Sequence, residues 1–150
     1  MSTKSLTRTL VIVIRVVMAV GGVLVVTLPW TAGALMRIFA DERAGSGTYV
    51  VFITVFYMLV GVLVIWGLGE AQAMVATDGA FTKRNSRALT RAGWLSMVTA
   101  ALFTLRTILY PDATSVLVVV AAVLIGLACF TLSQVVAQAA AIKAENDLTI

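Results

Sequence analysis

The chain has 150 residues, of which 61% are hydrophobic and 12% are charged, and its mean hydropathy is +1.03. A soluble domain is roughly half apolar and a quarter charged, so this composition favours a lipid bilayer over a large water-soluble core. The net charge of +4 comes from basic residues clustered between long apolar runs, which is typical of membrane topology signals rather than direct nucleic-acid binding. With no histidine and only Cys129, an intrachain disulfide and cysteine-based zinc sites are excluded, and we expect no cofactor.

Four apolar segments predict four transmembrane helices in one domain, 1–150. The first ends near Pro29-Trp30 and is too long for the apolar part of a secretory signal peptide, so we expect a retained helix. The third closes at Tyr110-Pro111, because a residue before proline disfavours helix. The predicted fold is an all-α membrane protein, an up-down-up-down bundle with helices at about 10–30, 48–69, 82–110 and 115–142.

The basic residues are unevenly divided between the two sides of the predicted bundle. One side has Arg37 and Arg43, with Arg106 nearby. The other side has more basic residues: Lys4, Arg8, Lys83, Arg84, Arg87, Arg91 and Lys143. By the positive-inside rule we expect both termini, a loop at 70–91 and a tail at 143–150 to be cytoplasmic.

Two charged residues lie at similar predicted depth on consecutive helices. Arg15 is near the start of the first helix and Glu70 is at the end of the second. They could form an ion pair that sets the helix register, since an unpaired charge in a bilayer is costly. The alternative is that the Arg15 side chain extends to the cytoplasmic interface. Arg106 is expected near Asp112 or Asp41, as an anchor at the other side.

Small residues on the third and fourth segments predict close helix packing. Gly93, Met97 and Gly126 recur at spacings that let two backbones approach. The favoured interpretation is packing within one chain. The alternative, a homo-oligomer interface, has less support.

The stretch "DGAFTKRNSRALTRAGW" predicts a helix that starts outside the membrane and continues into the third span. Thr82 is a good N-cap. Lys83 and Arg84 then stand where the helix dipole prefers negative charge, so an anionic neighbour is expected. Lipid phosphates are one candidate. The other is the acidic tail, which we predict to lie near Arg84, Arg87 or Arg91.

Two stretches, "GAFTKRNSRAL" and "AIKAENDLTI", carry a resemblance to the bacterial domain-of-unknown-function 2975 family. The family has an equivalent G-x-F-[ST]-x-x-N element and a closing I-K-x-E-N-[DE]-L-T-[IV] element, the second matched here in an unbroken run. The resemblance implies a small four-helix protein of a bacterial plasma membrane. Family members are commonly encoded beside a very small helix-turn-helix regulator, which implies a membrane partner for a transcription factor. The family supplies no catalytic residues and no cofactor.

The favoured function is therefore a non-enzymatic membrane protein that regulates or binds a small cytoplasmic helix-turn-helix regulator. Its partners would be that regulator and the lipid bilayer, without direct contact to nucleic acid. The alternative is a small transporter, which needs an acidic residue deep in the bilayer, whereas Glu70 lies at an interface. A tail that is merely a frayed helix end is the plainest alternative for the last residues. The predicted partner-binding residues are Lys83, Arg84, Asn85, Arg87, Arg91, Glu145, Asn146, Asp147 and Leu148.

Overall fold

The computed structural model describes residues 2–38, 42–76 and 81–149, and four long helices dominate them. A short 3₁₀ helix, Glu42–Gly45, precedes the second. The four α-helices are all long and apolar enough to cross a membrane, which confirms the prediction of an all-α four-helix membrane protein. They are α1 (Thr3–Ile38), α2 (Gly47–Ala76), α3 (Lys83–Leu109) and α4 (Ala113–Leu148).

Side-chain caps define where α3 and α4 begin. Thr82 has an extended backbone and its hydroxyl accepts a hydrogen bond from the backbone N–H of Asn85 at 3.2 Å. Asp112 does the same for α4, accepting from the backbone N–H of Ser115 at 2.7 Å. Between them, α3 ends at Leu109, before the Tyr110-Pro111 pair. Thr82 is therefore the N-cap that the sequence predicted.

The first helix passes through its proline instead of ending there. Pro29 lies inside α1, which continues to Ile38. A proline within a helix removes one backbone hydrogen bond and crowds the preceding turn. The segment beyond it nevertheless stays helical because Met36 is buried in a cluster with Tyr49 and Ile53 of α2.

The polar stretches outside the predicted spans are also largely helical. The stretch 70–91, predicted as a loop, consists mainly of the end of α2, which reaches Ala76, and the start of α3 at Lys83. The tail predicted at 143–150 is helical as far as Leu148. The polar residues therefore extend the helices beyond the apolar segments.

The closest helix pair is α3 with α4. A Cβ added to Gly93 would lie 2.7 Å from the ring of Phe130, and one added to Gly126 would lie 2.9 Å from the Met97 side chain. The Ser96 hydroxyl donates to the carbonyl of Ala122 at 2.6 Å. The small residues thus serve packing within the chain, as predicted.

A hydroxyl cluster fastens the same two helices nearer the start of α3. The Ser133 hydroxyl donates to the Ser86 carbonyl at 2.8 Å and lies 2.6 Å from the Thr90 hydroxyl. In return, the Ser86 hydroxyl lies 2.9 Å from the Ser133 carbonyl, to which it donates. Hydroxyl side chains that bond across helices are a common way of joining membrane helices.

The four helices do not close into a ring. In the described ranges α1 packs against α2, α2 against α3 and α3 against α4, whereas no Cα atom of α1 comes within 8 Å of one in α3 or α4. Aromatic rings hold the middle of this row, with Phe56 and Phe103 edge to face at 4.9 Å between centroids. The up-down-up-down order is thus that of an open array, with a gap between α1 and α4.

Candidate interaction site at the basic end

The helix registers place the predicted site residues at one end of the molecule. Glu70 contacts Arg91 across α2 and α3, while Ser86 contacts Ser133 across α3 and α4. The end of α2 and the start of α3 are consequently level with the last part of α4. This end, which we call the basic end, holds Lys4, Arg8, Lys83, Arg84, Arg87, Arg91 and Lys143.

A pocket of about 460 Å³ lies at the basic end between α1, α2 and α3. Three of the predicted residues, Arg84, Asn85 and Arg91, line it from α3. Apolar and acidic side chains of the other helices complete its wall, among them Met18, Trp66, Glu70 and Met74. The sequence indicated Glu70 and the α3 residues but not Trp66 or Met74 of α2, because only the helix register reveals which apolar side chains face the pocket.

Glu70 has a different partner from the one predicted. Its Oε1 atom accepts from Nη1 of Arg91 at 3.1 Å, and the Glu70 side chain is 12% exposed. Arg15 is exposed on α1, and no ion pair joins it to Glu70 in the described residues. The rotation of the two helices directs the Arg15 side chain to the surface and the Glu70 side chain toward α3.

The other residues at the start of α3 fall into two groups. Lys83, Arg84 and Arg87 are exposed. Asn85 is 5% exposed and lines the pocket where α2 and α3 face each other. The basic side chains therefore form the accessible surface of this end, while Asn85 belongs to its packing.

The end of α4 projects beyond the rest of the basic end. Every described residue from Ala141 to Thr149 is exposed, including Glu145, Asn146, Asp147 and Leu148. Because Ser133 is level with Ser86, the level of Lys83 falls near Val136, and Leu148 lies about 18 Å further along the helix axis. We call Glu145 and Asp147 the acidic tip.

The predicted contact between the tail and the α3 basic residues is not formed. No ion pair joins the acidic tip to Arg84, Arg87 or Arg91 among the described residues. The reason is the continuous helix of α4, which carries both carboxylates past the start of α3 instead of folding back on it. Ile150, the last residue of the predicted tail, lies outside the described residues.

At the opposite end, the predicted pairing of Arg106 with Asp112 is confirmed. The Arg106 side chain is almost fully buried and its Nη1 atom donates to Asp112 Oδ2 at 3.1 Å and also to the hydroxyl of Ser115. Its guanidinium lies over the rings of Phe56 and Tyr57, with Cζ at 5.9 and 5.7 Å from the ring centroids. The other predicted partner, Asp41, lies outside the described residues.

The surroundings of Asp112 lower the pKa of its carboxyl group. Burial raises its pKa, but hydrogen bonds from the side chain and backbone of Ser115, and then the charge of Arg106, outweigh burial. The net result is a pKa below the ordinary value. Asp112 is thus a charged N-cap for α4. The sequence Pro111-Asp112 allows this role but does not by itself predict it.

The described residues hold no group of three or more His, Cys, Asp or Glu side chains placed to bind a metal ion. The polar chemistry at both ends is that of ion pairs and hydrogen bonds between helices.

Four antiparallel apolar helices with charged residues gathered at their ends define a multi-pass integral membrane protein. The model of the family described as "Protein of unknown function (DUF2975)" matches residues 30–150, and the chain belongs to this family. The match includes α2, α3, α4 and the acidic tip. No curated protein and no solved structure is significantly similar to the chain.

Proposed function

We propose that the protein is a non-enzymatic regulatory membrane protein that holds a small cytoplasmic helix-turn-helix transcription factor at its basic end. The observation that carries the proposal is the projecting end of α4, which is helical and exposed on every side from Ala141 to Leu148. A helix without contacts to its own chain has surface available for another one. The basic end is the cytoplasmic side under the positive-inside rule.

Electrostatics supports a basic partner for this helix. Glu145 and Asp147 lie in the last turn of α4, where the dipole is already negative, and that turn contains no basic residue. The partial negative charge at the end of the helix and the charges of the two carboxylates reinforce each other, so the acidic tip attracts a cationic surface. A DNA-binding regulator has such a surface, because it must neutralise phosphates.

The geometry also offers a second contact for the same partner. Lys83, Arg84 and Arg87 form an exposed basic surface about 18 Å below the acidic tip along the α4 axis. A small domain seated beside α4 could touch both surfaces at once. A surface with separate acidic and basic regions favours one orientation of the partner, which is how charge complementarity gives specificity.

The proposal is tested by site-specific photo-crosslinking in native membranes. A photo-reactive residue replaces Asn146 in the full chain, and the matched control carries it at Val26, a 65% exposed position within α1. We expect Asn146 to crosslink a small helix-turn-helix protein, identified by mass spectrometry, and Val26 not to. The double substitution Glu145→Lys with Asp147→Lys should abolish the product. Recovery of lipid adducts alone from both positions would count against the proposal.

The alternative of a proton-coupled transporter depends on Glu70. This carboxylate is held by Arg91 at the basic end rather than standing free at mid-membrane, and the pair weighs against a proton relay. Proton flux in liposomes that needs a substrate and disappears in Glu70→Gln would reverse this ranking.

A further inference from the structure

The pocket at the basic end changes from polar to apolar along its length. Arg84 lines it near the start of α3, and the Glu70–Arg91 ion pair lies further in. Nearer the middle of the membrane its lining is apolar, formed by Met18, Ile65 and Trp66. Its volume of about 460 Å³ is within the range of small-molecule sites. A ligand that fits this pocket is polar at one end and apolar at the other.

The pocket lies at one boundary of the hydrocarbon layer. The rise from Arg91 to Tyr110, at the two ends of the α3 span, is about 28 Å, close to the 30 Å or so of a bilayer core. Arg84 is two turns beyond Arg91, about 10 Å further out, and so is level with lipid headgroups. Trp66 is one turn of α2 inward from Glu70 and is 56% exposed, a position typical of interfacial aromatic residues. The polar part of the pocket therefore faces headgroups and its apolar part faces acyl chains.

Arg84 is available to bind an anion. Its side chain is exposed, and no ion pair or hydrogen bond joins it to another side chain in the described part of the chain. It lies in the first turn of α3, which contains no acidic residue. The helix dipole is positive at this end. The guanidinium of Arg84 and the start of the helix consequently attract the same anion.

Arg91 supplies a second set of donors to the same pocket. It is seven residues from Arg84, which places both on one face of α3, and both line the pocket. Its Nη1 atom donates to Glu70, but the side chain is 56% exposed, so the other N–H groups of the guanidinium are accessible. Among the described residues that line the pocket there are two guanidinium groups and one carboxylate. The lining therefore has an excess of positive charge.

We propose that this pocket binds one phospholipid of the leaflet at the basic end, with the phosphate between Arg84 and Arg91 and an acyl chain against Trp66 and Ile65. Arginine recognises phosphate by charge-assisted hydrogen bonds. The phosphate would be the anionic neighbour that the sequence predicts for the start of α3. Lys83 and Arg87 are exposed and do not line the pocket, so they stay accessible to a protein partner while the lipid is bound.

The test uses native mass spectrometry of the full chain in detergent micelles. Phosphatidylglycerol and a glucosyl diacylglycerol with identical acyl chains are added at equal concentration, so that the two lipids differ in the phosphate. We expect the phospholipid to be retained about tenfold more strongly, the effect of one charge-assisted hydrogen bond. Arg84→Gln should remove most of this preference. Arg87→Gln is the matched control, because it makes the same change at an exposed α3 residue outside the pocket, and it should keep the preference.

Two leucine variants of α2 test the space inside the pocket. Gly69 lines it, and a Cβ added there would contact only the end of Met18, at 3.9 Å. Gly67 does not line it, and a Cβ added there would meet nothing within 4 Å. Gly69→Leu should therefore fill the pocket and reduce retention of phosphatidylglycerol, whereas Gly67→Leu should retain the lipid fully.

Four results would overturn the proposal. Two of them are equal retention of the two lipids by the unaltered chain and equal loss of the preference in Arg84→Gln and Arg87→Gln. The third is equal loss of lipid in Gly69→Leu and Gly67→Leu. The fourth is retention of glycerol phosphate as strong as that of phosphatidylglycerol, which would assign the pocket to a soluble phosphate ester. Because the assay contains no second protein, its outcome is independent of the crosslinking result.

Discussion

The space around each helical glycine predicts how a Gly→Ala substitution there changes the free energy of unfolding. A Cβ added to Gly61 would collide with a methyl group of Val25, and one added to Gly93 would lie 2.7, 2.9 and 3.1 Å from carbons of the Phe130 ring. One added to Gly67 would meet nothing within 4 Å. The substitution Gly→Ala should therefore change sign along the series, although each glycine is in a helix.

The magnitudes follow from two opposing effects. Replacing glycine by alanine within a helix stabilises it by about 1 kcal/mol, whereas overpacking a close contact costs about 1 to 3 kcal/mol. Gly67→Ala should thus raise the free energy of unfolding by about 0.5 to 1 kcal/mol. Gly93→Ala should lower it by about 1 to 2 kcal/mol after the propensity gain is subtracted. Gly61→Ala should be at least as damaging, because a β-branched Val25 has one strongly preferred rotamer in a helix and cannot turn its methyl away.

The assay is reversible unfolding of the full chain in mixed micelles with increasing dodecyl sulfate, followed by circular dichroism. Gly126→Ala serves as an intermediate case, because its added Cβ would meet the flexible end of Met97 at 2.9 Å and the Gly93 carbonyl at 3.3 Å. We expect it to fall between Gly67→Ala and Gly93→Ala. If Gly93→Ala and Gly67→Ala shift the midpoint in the same direction and by similar amounts, the packing of α3 against α4 described above is refuted.

Three further predictions concern polar contacts. Ser133→Ala should lower the free energy of unfolding by about 0.5 to 1.5 kcal/mol by removing the hydroxyl cluster between α3 and α4, whereas Thr131→Ala, whose hydroxyl bonds only within α4, should have a smaller effect in the same assay. Since the pKa of Asp112 lies below its ordinary value of 3.8, its charge stabilises the fold fully above about pH 4 and less as pH falls through the folded-state pKa. Acid titration of stability should therefore show a loss at low pH that Asp112→Asn reduces, and identical profiles would contradict this assignment. A double-mutant cycle of Glu70→Gln with Arg91→Gln should give a coupling of about 0.2 to 1 kcal/mol, because the Arg91 side chain is 56% exposed. A coupling indistinguishable from zero would show that the pair does not stabilise the fold.

The sequence predicted the number of helices well because apolar length is decisive in a membrane. It also predicted the cap at Thr82, since a hydroxyl followed by a helix-forming stretch satisfies the first backbone donors. The ends of α1 were harder to predict. Pro29 normally signals a break, but the turns after it stay helical and bury Met36 against α2.

The sequence could not predict which charged residues meet. Membrane helices are apolar on nearly all faces, so there is no polar stripe from which the rotation of a helix can be determined. Position along the chain predicted a similar depth for Glu70 and Arg15 but could not predict the direction of their side chains. The choice of Arg91 as partner depends on the α2–α3 packing. The separation of α1 from α4 was not predicted for the same reason, because the sequence does not specify which helix faces pack together.

At one end of the molecule the side-chain charges complement the helix dipoles, and at the other end they oppose them. At the end opposite the basic end, Arg106 lies in the last turn of α3 and Asp112 caps α4, so each charge has the sign that its helix end favours. At the basic end, Lys83 and Arg84 open α3, which has no acidic residue in its first turn, and the acidic tip closes α4. Each of these charges opposes the dipole of its own helix, and the helix register keeps the two signs too far apart to neutralise each other. Contacts within the chain alone explain the charges of Arg106 and Asp112. Among the described residues, no ion pair joins Lys83, Arg84, Glu145 or Asp147 to another side chain. We therefore propose that these four charges meet the opposite charges of binding partners.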